Sequence, residues 1–347
     1  MRTRPNKASK IAVAVLVPAA LSVAWVSSAV ASSKHAKATQ VSIGLITKNT
    51  TNPFFVKMTE GAKKEAAKAG AKLITTAGKK DGDNATQVAA IESLVARGVK
   101  GILITPSNTK AIVPAIKKAR AAGVVVIALD TPTEPQSATD ALYATNNYTA
   151  GLLIGKYAKA VNGSKKAQIA TLDLFIPRVT VDVARHNGFL AGFGNTGITA
   201  ATKGFGKDPL VVCSGDTDGG SPKGQTSMEN CLQKSPGINL VYTINEPAAA
   251  GAYTAIKAAG KQKDISILSV DGGCAGVRDV KKGVITATSQ QYPLKMASLG
   301  VAAVVKFAKT GVKPKGYVDT GVTLITDKPV AGVPSKDTKF GLANCWG

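Results

Sequence analysis

The sequence has few of the side chains that metal centres and hydrolytic triads require. Only two of its 347 residues are histidines, His35 and His186. A multi-histidine metal site or a histidine-based triad therefore has almost nothing to draw on. No Walker lysine loop occurs either, which removes the usual sequence signature of nucleotide phosphate binding. These absences exclude much of hydrolase chemistry, and we expect no catalytic residue, no metal and no cofactor.

Cysteine is absent from the first 212 residues, so no lipidated cysteine is available to anchor an exported chain at its N-terminus. The start nevertheless has the layout of a secretory signal peptide, because basic MRTRPNKASK is followed by apolar IAVAVLVPAALSVAWV and the small-x-small triplet Ala29-Val30-Ala31. The alternative is a membrane anchor, but the sixteen-residue apolar run is shorter than the roughly 20 residues that span a bilayer. We therefore predict a signal peptide at residues 1–31, a flexible tail at 32–40, and export to the periplasm or the extracellular face of the cell envelope.

The four cysteines all lie in the last 135 residues. An oxidising compartment allows disulfides to persist, and four cysteines allow three pairings. We favour Cys213 with Cys231, tying a strand end to the next helix, and Cys274 with Cys345, pinning the C-terminal tail to a loop. A zinc site is the alternative, but the chain has no C-x-x-C spacing and neither histidine is near the cysteines.

Acidic residues are scarce, since 21 Asp and Glu stand against 44 Lys and Arg for a formal net charge of +23. Such an imbalance suggests a nucleic acid or an anionic surface as partner. The lysines, however, are scattered over predicted helix faces, as Lys63, Lys64, Lys117 and Lys118 illustrate, and this pattern is typical of solvated surface. We expect no nucleic-acid partner.

Short β-branched runs alternate with amphipathic stretches along the rest of the chain. Helical spacing is clear at Phe55, Met58, Ala62 and Ala66, which recur at intervals of three and four residues. Continuous apolar strands separated by helices predict parallel sheets covered on both faces. Because ten such runs exceed one ordinary sheet, we predict an α/β protein of two doubly wound lobes. The predicted strands are residues 41–47, 72–77, 101–105, 124–130, 142–146, 167–173, 210–213, 240–244, 265–270 and 284–289.

Polar side chains follow many of these strands, at the carboxyl ends where doubly wound folds bind ligands. Each alone could be a helix cap or a turn residue, but seven equivalent positions indicate a site. Amides and carboxylates hydrogen-bond vicinal hydroxyls, and an aromatic face covers the C–H face of a sugar ring, so the set predicts a polyol or sugar site. Its members are Asn52-Pro53-Phe54-Phe55 after Thr47, Asp130, Asn146-Asn147, Asp173, Asn245-Glu246, Asp271 and Gln290-Gln291.

Several segments together resemble periplasmic-type solute-binding proteins of sugar ABC transporters, in the ribose-binding cluster, over about residues 40–327. They are VSIGLITKNTTNPFFVKMTEGAKKEAAKAG, VVVIALDTP, YATNNYTAGLLIGKYA, TINEPAAAGAYTAIKAAG and SVDGGCAGVRDVKKGVITATSQQYPLKMASLG. The last is most similar to the fructose-binding branch. The resemblance implies the type I periplasmic binding protein fold, with two doubly wound lobes joined by three hinge crossings near Thr145, Gln291 and Thr320. Residues 41–145 and 292–320 would form the N-terminal lobe, and 146–291 and 321–347 the C-terminal lobe and tail.

The same resemblance assigns roles to the residues that match the family's sugar contacts. Phe54 and Phe55 would sandwich the sugar ring beside Asn52, and Asp130 would accept ring hydroxyls from the N-terminal lobe. Asn147 would lie at the first hinge crossing. The ligand-binding set implied is Asn52, Phe54, Phe55, Asp130, Asn147, Asp182, Asn245, Asp271 and Gln291.

Three departures from the ribose binders argue against ribose as the ligand. Thr131 stands where they carry an arginine, and residues 219–221 replace an aromatic-x-arginine pair. Val183 takes the place of a further arginine, with Asp182 beside it as the candidate contact.

The function that this resemblance implies is capture of a monosaccharide, fructose or a related sugar, by a monomeric protein that delivers it to an ABC transporter permease. One alternative is delivery of the same signal to a chemoreceptor or sensor kinase. A second is a glycoside enzyme using Asp130, Asp271 and Glu246, although no activated nucleophile is evident. A third is a sugar-responsive repressor, but the segment ahead of the lobes is too short for a helix-turn-helix domain.

Overall fold

The computed structural model describes residues 11–14, 40–175 and 177–347. Contacts divide the chain into residues 1–39 and residues 40–347. In the first unit only residues 11–14 are described, and they form no helix or strand. The predicted signal peptide and tail otherwise lie outside the described residues, apart from Gln40. Within the described ranges, no helix combines the length and the apolar character that crossing a membrane requires.

Strands and helices alternate through residues 40–347, as the periodicity predicts. Two six-stranded sheets result, ordered β11-β5-β4-β3-β1-β2 and β12-β10-β9-β8-β6-β7. The strands are β1 Ser42–Thr47, β2 Lys72–Ala77, β3 Gly101–Ile104, β4 Val125–Leu129, β5 Ala141–Ala144, β6 Ile169–Asp173, β7 Val211–Asp216, β8 Leu240–Thr243, β9 Ser266–Asp271, β10 Ala287–Gln290, β11 Gly316–Asp319 and β12 Thr323–Ile325. The helices are α1 Pro53–Lys68, α2 Asn84–Ala96, α3 Val113–Ala121, α4 Asn147–Asn162, α5 Thr180–Phe193, α6 Ser221–Lys234, α7 Glu246–Ala258, α8 Cys274–Lys281, α9 Pro293–Thr310 and α10 Thr338–Asn344.

Both sheets are parallel, except that β12 runs antiparallel to β10. Central strands such as β4 are buried at every position, because helices cover both faces of each sheet. Separate apolar clusters lie on the two faces of the first sheet and of the second. This architecture confirms the predicted pair of doubly wound α/β lobes.

The chain passes from one sheet to the other three times, after β5, after β10 and after β11. The third passage connects two short edge strands, β11 and β12, that the sequence pattern did not predict. In a doubly wound sheet the loops on either side of the first strand turn to opposite faces, and a crevice opens at the carboxyl ends of the strands. Those ends belong to β1, β3 and β4 in the first lobe and to β6, β8 and β9 in the second.

The cysteines form the two favoured disulfides, Cys213–Cys231 and Cys274–Cys345. The first joins β7 to α6, and the second holds the end of the chain at the start of α8. The pairing prediction is confirmed, and the zinc alternative is wrong because the sulfur atoms are bonded to one another.

One glycine-rich segment, G-F-G-N-T-G at residues 192–197, has the spacing of a dinucleotide-binding fingerprint. In that fingerprint the glycines follow a strand and open a helix. Here α5 ends at Phe193 and Gly194 is its C-cap. The segment therefore closes a helix and lacks the geometry that holds a pyrophosphate.

Candidate ligand-binding site between the lobes

A cavity lies between the two lobes and encloses about 350 Å³ of space, including the part that opens to solvent. Both lobes contribute charged or amide side chains from the carboxyl ends of their strands. Its residues are Lys48, Asn52, Phe54, Phe55, Asp81 and Asp130 from the first lobe, and Leu174, Val181, Arg185, Ile244, Asn245, Asp271 and Gln291 from the second lobe and its crossing. Such a mixture of apolar walls and a few convergent polar groups is typical of small-molecule sites.

Arg185, on α5, is the central cation of the cavity and is only 4% exposed. Its Nε donates to Asn147 Oδ1 over 2.8 Å, and its Nη1 donates to the backbone oxygen of Ile244 over 3.0 Å. Its Nη2 donates to Gln291 Oε1 over 3.2 Å and lies 3.5 Å from Asp130 Oδ1. The guanidinium therefore connects both lobes and the second crossing, with its planar donor groups fixed in direction.

Asp130 follows β4 and presents a carboxylate oxygen that has no hydrogen-bond donor among the described residues. Oδ2 accepts from Thr131 Oγ1 over 2.6 Å, whereas Oδ1 is buried and has only the longer ion pair with Arg185. A buried oxygen without a donor costs about 1–3 kcal/mol. A ligand hydroxyl in the cavity would supply the missing donor.

Asp271 and Gln291 face Asp130 from the other side of the cavity. Gln291 Nε2 donates to Asp271 Oδ1 over 2.8 Å, and the backbone N–H of Glu246 donates to Asp271 Oδ2 over 3.4 Å. Burial raises the pKa of Asp271 to about 6, although Arg185 and the hydrogen bond from Gln291 oppose the rise.

The aromatic side chains come from the start of α1. Asn52 caps this helix by accepting from the backbone N–H of Phe54 over 3.0 Å, and Pro53 occupies its first turn. The rings of Phe54 and Phe55 are 5.4 Å apart and inclined at 84°. Both rings line the cavity, and their planes are nearly perpendicular to one another.

Lys48 and Asp81 extend the cavity beside Phe55. Lys48 is 2% exposed, and its Nζ lies 5.9 Å from the centre of the Phe55 ring. Asp81 accepts from Asn49 Nδ2 over 2.6 Å. Burial raises the pKa of Asp81, while the charge of Lys48 lowers it.

Seven of the nine predicted ligand residues line this one cavity, and two lie behind its wall. Asn147 holds Arg185 Nε and also donates to the backbone oxygen of Asp130 over 3.2 Å, so it orients two lining residues. Asp182 is fully buried and accepts from the backbone N–H of Leu174 over 3.1 Å. Burial beside Asp173 raises its pKa well above the ordinary range. Asp182 therefore braces the loop at Leu174 and does not reach the cavity.

Glu246, considered above as part of an enzymatic acid–base pair, also lies behind the cavity. Its carboxylate accepts from the backbone N–H groups of Gly272 and Gly273 over 2.8 and 3.1 Å, and from Thr288 Oγ1 over 2.8 Å. Two of these partners belong to the turn that follows β9, and the third, Thr288, lies on β10. Glu246 therefore has a bracing role at that turn.

The three positions at which the sequence departs from the ribose binders lie in different parts of the structure. Val183 lines a different surface cavity, whereas Arg185, two residues further along α5, points into the cleft. Thr131 is buried and orients Asp130. Gly219 lies where an added Cβ would come within 3.1 Å of Asn245 Nδ2, so a larger residue would crowd Asn245.

Sequence reasoning missed Lys48, Asp81 and Arg185. Lys48 directly follows β1, and its position at a strand end is a signal that could have identified it. Asp81 lies four residues after β2, in a loop of lysines and glycines that reads as solvated surface. Arg185 lies within α5, between Val181 and Phe189, and no strand-end rule indicates it.

Two similar lobes, each offering strand-end side chains to a shared cavity, define a two-lobed ligand-binding protein. A family model described as a periplasmic binding protein domain matches residues 43–312. The chain belongs to that family, as the sequence resemblance predicted.

Individual relatives agree with this assignment. The chain is 32% identical to the ribose import binding protein of Bacillus subtilis over 264 residues, which cover 76% of this chain and 80% of the relative. A solute-binding protein from Actinobacillus succinogenes, solved with bound D-allose, is 25% identical with a TM-score of 0.72, over 83% of this chain and 98% of that one. A galactofuranose binding protein is 26% identical with a TM-score of 0.75, over 87% and 97%. These relatives are binding proteins, which confirms that interpretation over the enzyme alternative.

Proposed function

We propose that this protein captures a monosaccharide in the interlobe cavity and delivers it to the permease of an ABC transporter, as an exported monomer. Asn52, Phe54, Phe55, Asp130, Asn245, Asp271 and Gln291 would contact the sugar, together with Lys48, Asp81 and Arg185. Asn147 and Asp182 would act indirectly, through Arg185 and Leu174.

The observation that carries this proposal is the set of polar groups around Asp130. Asp130 Oδ1 is buried without a hydrogen-bond donor, Arg185 lies 3.5 Å away, and the ring of Phe54 lines the same space. A sugar brings adjacent hydroxyls that both donate and accept, and an apolar ring face. Each hydroxyl pattern that leaves one of these groups unpaired would lose about 1–3 kcal/mol.

Fructose or a closely related sugar is the ligand that we propose. Thr131 and Gly219 stand where the ribose binders carry larger residues, and residues 269–300 are most similar to the fructose-binding branch. Both observations favour a sugar other than ribose. The six-carbon sugars named for relatives, D-allose and galactofuranose, are therefore included as competitors.

Calorimetric titration of the purified protein tests both the proposal that it binds a monosaccharide and the proposal that this sugar is fructose or a close relative. The panel comprises fructose, ribose, allose, galactose, xylose, arabinose and inositols, with thermal unfolding in parallel because a ligand that binds only the native state raises the melting temperature. We expect fructose or a related ketose to bind most tightly, and Asp130→Asn to give a smaller shift of the melting temperature at the same sugar concentration. If no sugar in the panel shifts the melting temperature or releases heat, the proposal is wrong.

Delivery to a permease requires a separate test, because a chemoreceptor or sensor kinase could read the same closed form. We expect genes for a permease and an ATPase beside this one. Sugar uptake should stop when the gene is deleted and return when it is restored. Loss of sugar-dependent motility or gene expression with uptake intact would favour the sensory alternative.

A further inference from the structure

The C-terminal residues form a strap that contacts both lobes. We use this name for residues 338–347, which comprise α10, Cys345, Trp346 and Gly347. The strap contacts the second lobe, the second crossing and the first lobe in turn. It lies beyond the part of the chain that the family model matches, residues 43–312.

Several contacts fix the strap to the second lobe. Cys345 is bonded to Cys274 at the start of α8, and the backbone N–H of Cys274 donates to the backbone oxygen of Trp346 over 2.9 Å. Gln290 Nε2 donates to the backbone oxygen of Gly341 over 3.0 Å. The backbone at Trp346 therefore cannot leave α8 while the disulfide is intact.

The side chain of Trp346 leaves this lobe and reaches two other parts of the cleft. Its Nε1 donates to the backbone oxygen of Gln291, on the second crossing, over 2.8 Å. Its ring meets that of Phe54 at 5.5 Å and 78°, an edge-to-face contact. Trp346 is 6% exposed and belongs to the apolar cluster of the first lobe.

Phe54 and Gln291 both line the cavity, so one indole contacts a cavity residue of the first lobe and a cavity residue of the second crossing. Opening of the cleft would separate Phe54 from the second lobe and break the ring contact. The strap thus has a means of favouring the closed arrangement and of fixing the ring of Phe54 toward the cavity.

We propose that Trp346, held by the Cys274–Cys345 disulfide, is a positioning residue for ligand capture that acts through Phe54 and Gln291. The inference rests on the proposed function, because its effect is measured as affinity for a sugar. It assigns to this disulfide a role in binding that Cys213–Cys231 does not share.

The test compares variants of the full chain carrying Trp25→Phe, which leaves Trp346 as the one tryptophan of the sequence. Trp346→Ala removes both contacts, Trp346→Phe keeps a ring against Phe54 without the N–H donor, and Cys274→Ala/Cys345→Ala releases the strap. For Trp346→Ala and for Cys274→Ala/Cys345→Ala we expect ~tenfold weaker binding of the sugar that binds best in the panel. Loss of one edge-to-face ring contact and one hydrogen bond weakens binding by about this factor. Trp346→Phe should recover part of the loss.

Cys213→Ala/Cys231→Ala is the matched control, because it removes a disulfide that lies outside the cavity wall. We expect it to lower the melting temperature and to leave the dissociation constant within twofold of the parent. Tryptophan emission should change when sugar is added to the parent and should be red-shifted without sugar when the strap is released. Unchanged affinity in Trp346→Ala, or equal losses for both disulfide variants, would overturn the proposal.

Hydrogen–deuterium exchange separates failure of this inference from failure of the proposed function. If the parent protein binds no sugar, the proposed function is wrong, but the strap is still tested by exchange at the start of α1. Release of the strap should accelerate exchange there and leave α6 unchanged. If exchange at the start of α1 is the same in the parent, in Trp346→Ala and in Cys274→Ala/Cys345→Ala, the inference about the strap is wrong, whether or not the protein binds a sugar.

Discussion

Asp130 and Asp271 hold backbone conformations that side-chain-bearing residues seldom adopt, with φ of 61° and 149°. Such conformations cost about 1–3 kcal/mol each and persist where the surroundings impose them, often at binding sites. Asp130 directly follows β4 and Asp271 is the last residue of β9, and both line the cleft. The local strain is thus concentrated at two acids that face one cavity.

Asp130→Asn tests the role of the carboxylate with little change of shape, since Asn also tolerates positive φ. The amide would replace one acceptor oxygen by a donor beside Arg185 and remove the charge that strengthens hydrogen bonds from sugar hydroxyls. We expect sugar affinity to fall about 10- to 100-fold, measured by calorimetric titration.

Thr131→Val is the companion variant for this prediction. It deletes the hydroxyl that orients Asp130 Oδ2 but leaves the carboxylate in place, so the loss should be smaller. A greater loss from Thr131→Val than from Asp130→Asn would contradict the assignment of Asp130 as the direct contact.

Asp271 gives the ligand-free protein a defined pH dependence. Its pKa is raised by burial from 3.8 to about 6, so between these values the folded state binds a proton that the unfolded state has released. Protonation of Asp271 therefore stabilises the folded state below about pH 4, and this stabilisation is lost as the pH rises through about 6.

Urea denaturation of the parent and of Asp271→Asn from pH 4 to 8 isolates this contribution. The difference in unfolding free energy, parent minus variant, should fall between pH 4 and 7 and then become constant. A difference that rises with pH over this range would show that the pKa of Asp271 is lowered by its partners instead.

The residues of the site that sequence could predict are those at strand ends. Asp130, Asn245, Asp271 and Gln291 each follow an apolar run, so their positions in a parallel sheet determine where they meet. Arg185 could not be found this way, because it lies within α5 and the direction of its side chain depends on how that helix packs against α4. Asp182, three residues earlier, faces the loop at Leu174 instead.

Helices α4 and α5 approach so closely that glycines are required along their contact. A Cβ on Gly155 would lie 2.1 Å from the backbone oxygen of Phe189, and one on Gly188 would lie 2.2 Å from that of Tyr148. The neighbouring atoms are backbone and cannot rotate away. This contact holds α5 against the start of α4. Arg185 thereby lies close enough for its Nε to donate a hydrogen bond to Asn147 Oδ1.

Gly155→Ala should therefore destabilise the protein, although alanine favours a helix over glycine by about 0.5–1 kcal/mol. Separating the two helices costs more, and we expect a net loss of about 3 kcal/mol in unfolding free energy, measured by urea denaturation. Lys156→Ala, on the exposed side of α4, should change it by less than about 0.5 kcal/mol. A stabilised Gly155→Ala would show that the helices are further apart than described.

Element prediction succeeded for ten strands, including the edge strands β2 and β7, and failed for the two remaining edge strands, β11 and β12. The strand β4, VVIAL, is apolar throughout and could be recognised directly. By contrast, β11 has the sequence GYVD and is exposed at all four positions, and β12 has only three residues. Their pairing is decided by the third crossing, which the local pattern does not encode.

At the scale of the whole molecule, the side chains that line the cavity are almost entirely buried, although part of the cavity opens to solvent. Gln291 is fully buried and Asp130 is 3% exposed, although both line the space that a sugar would occupy. Because these side chains are so deeply buried, we expect the lobes to separate by bending at the three crossings when a ligand enters or leaves.

Sugar binding should consequently shift the molecule from open to closed forms, to the extent that the closed form binds it better. We expect sugar to reduce the radius of gyration in small-angle X-ray scattering to the value of the structure described here. At a sugar concentration of 100 times the dissociation constant, the native state should gain about 2.7 kcal/mol. Asp130→Asn should need a correspondingly higher sugar concentration, about 10- to 100-fold, to reach the same radius. A ligand-free radius that already equals the closed value and does not respond to sugar would contradict hinge closure, because the cavity would then have to exchange its ligand without separation of the lobes.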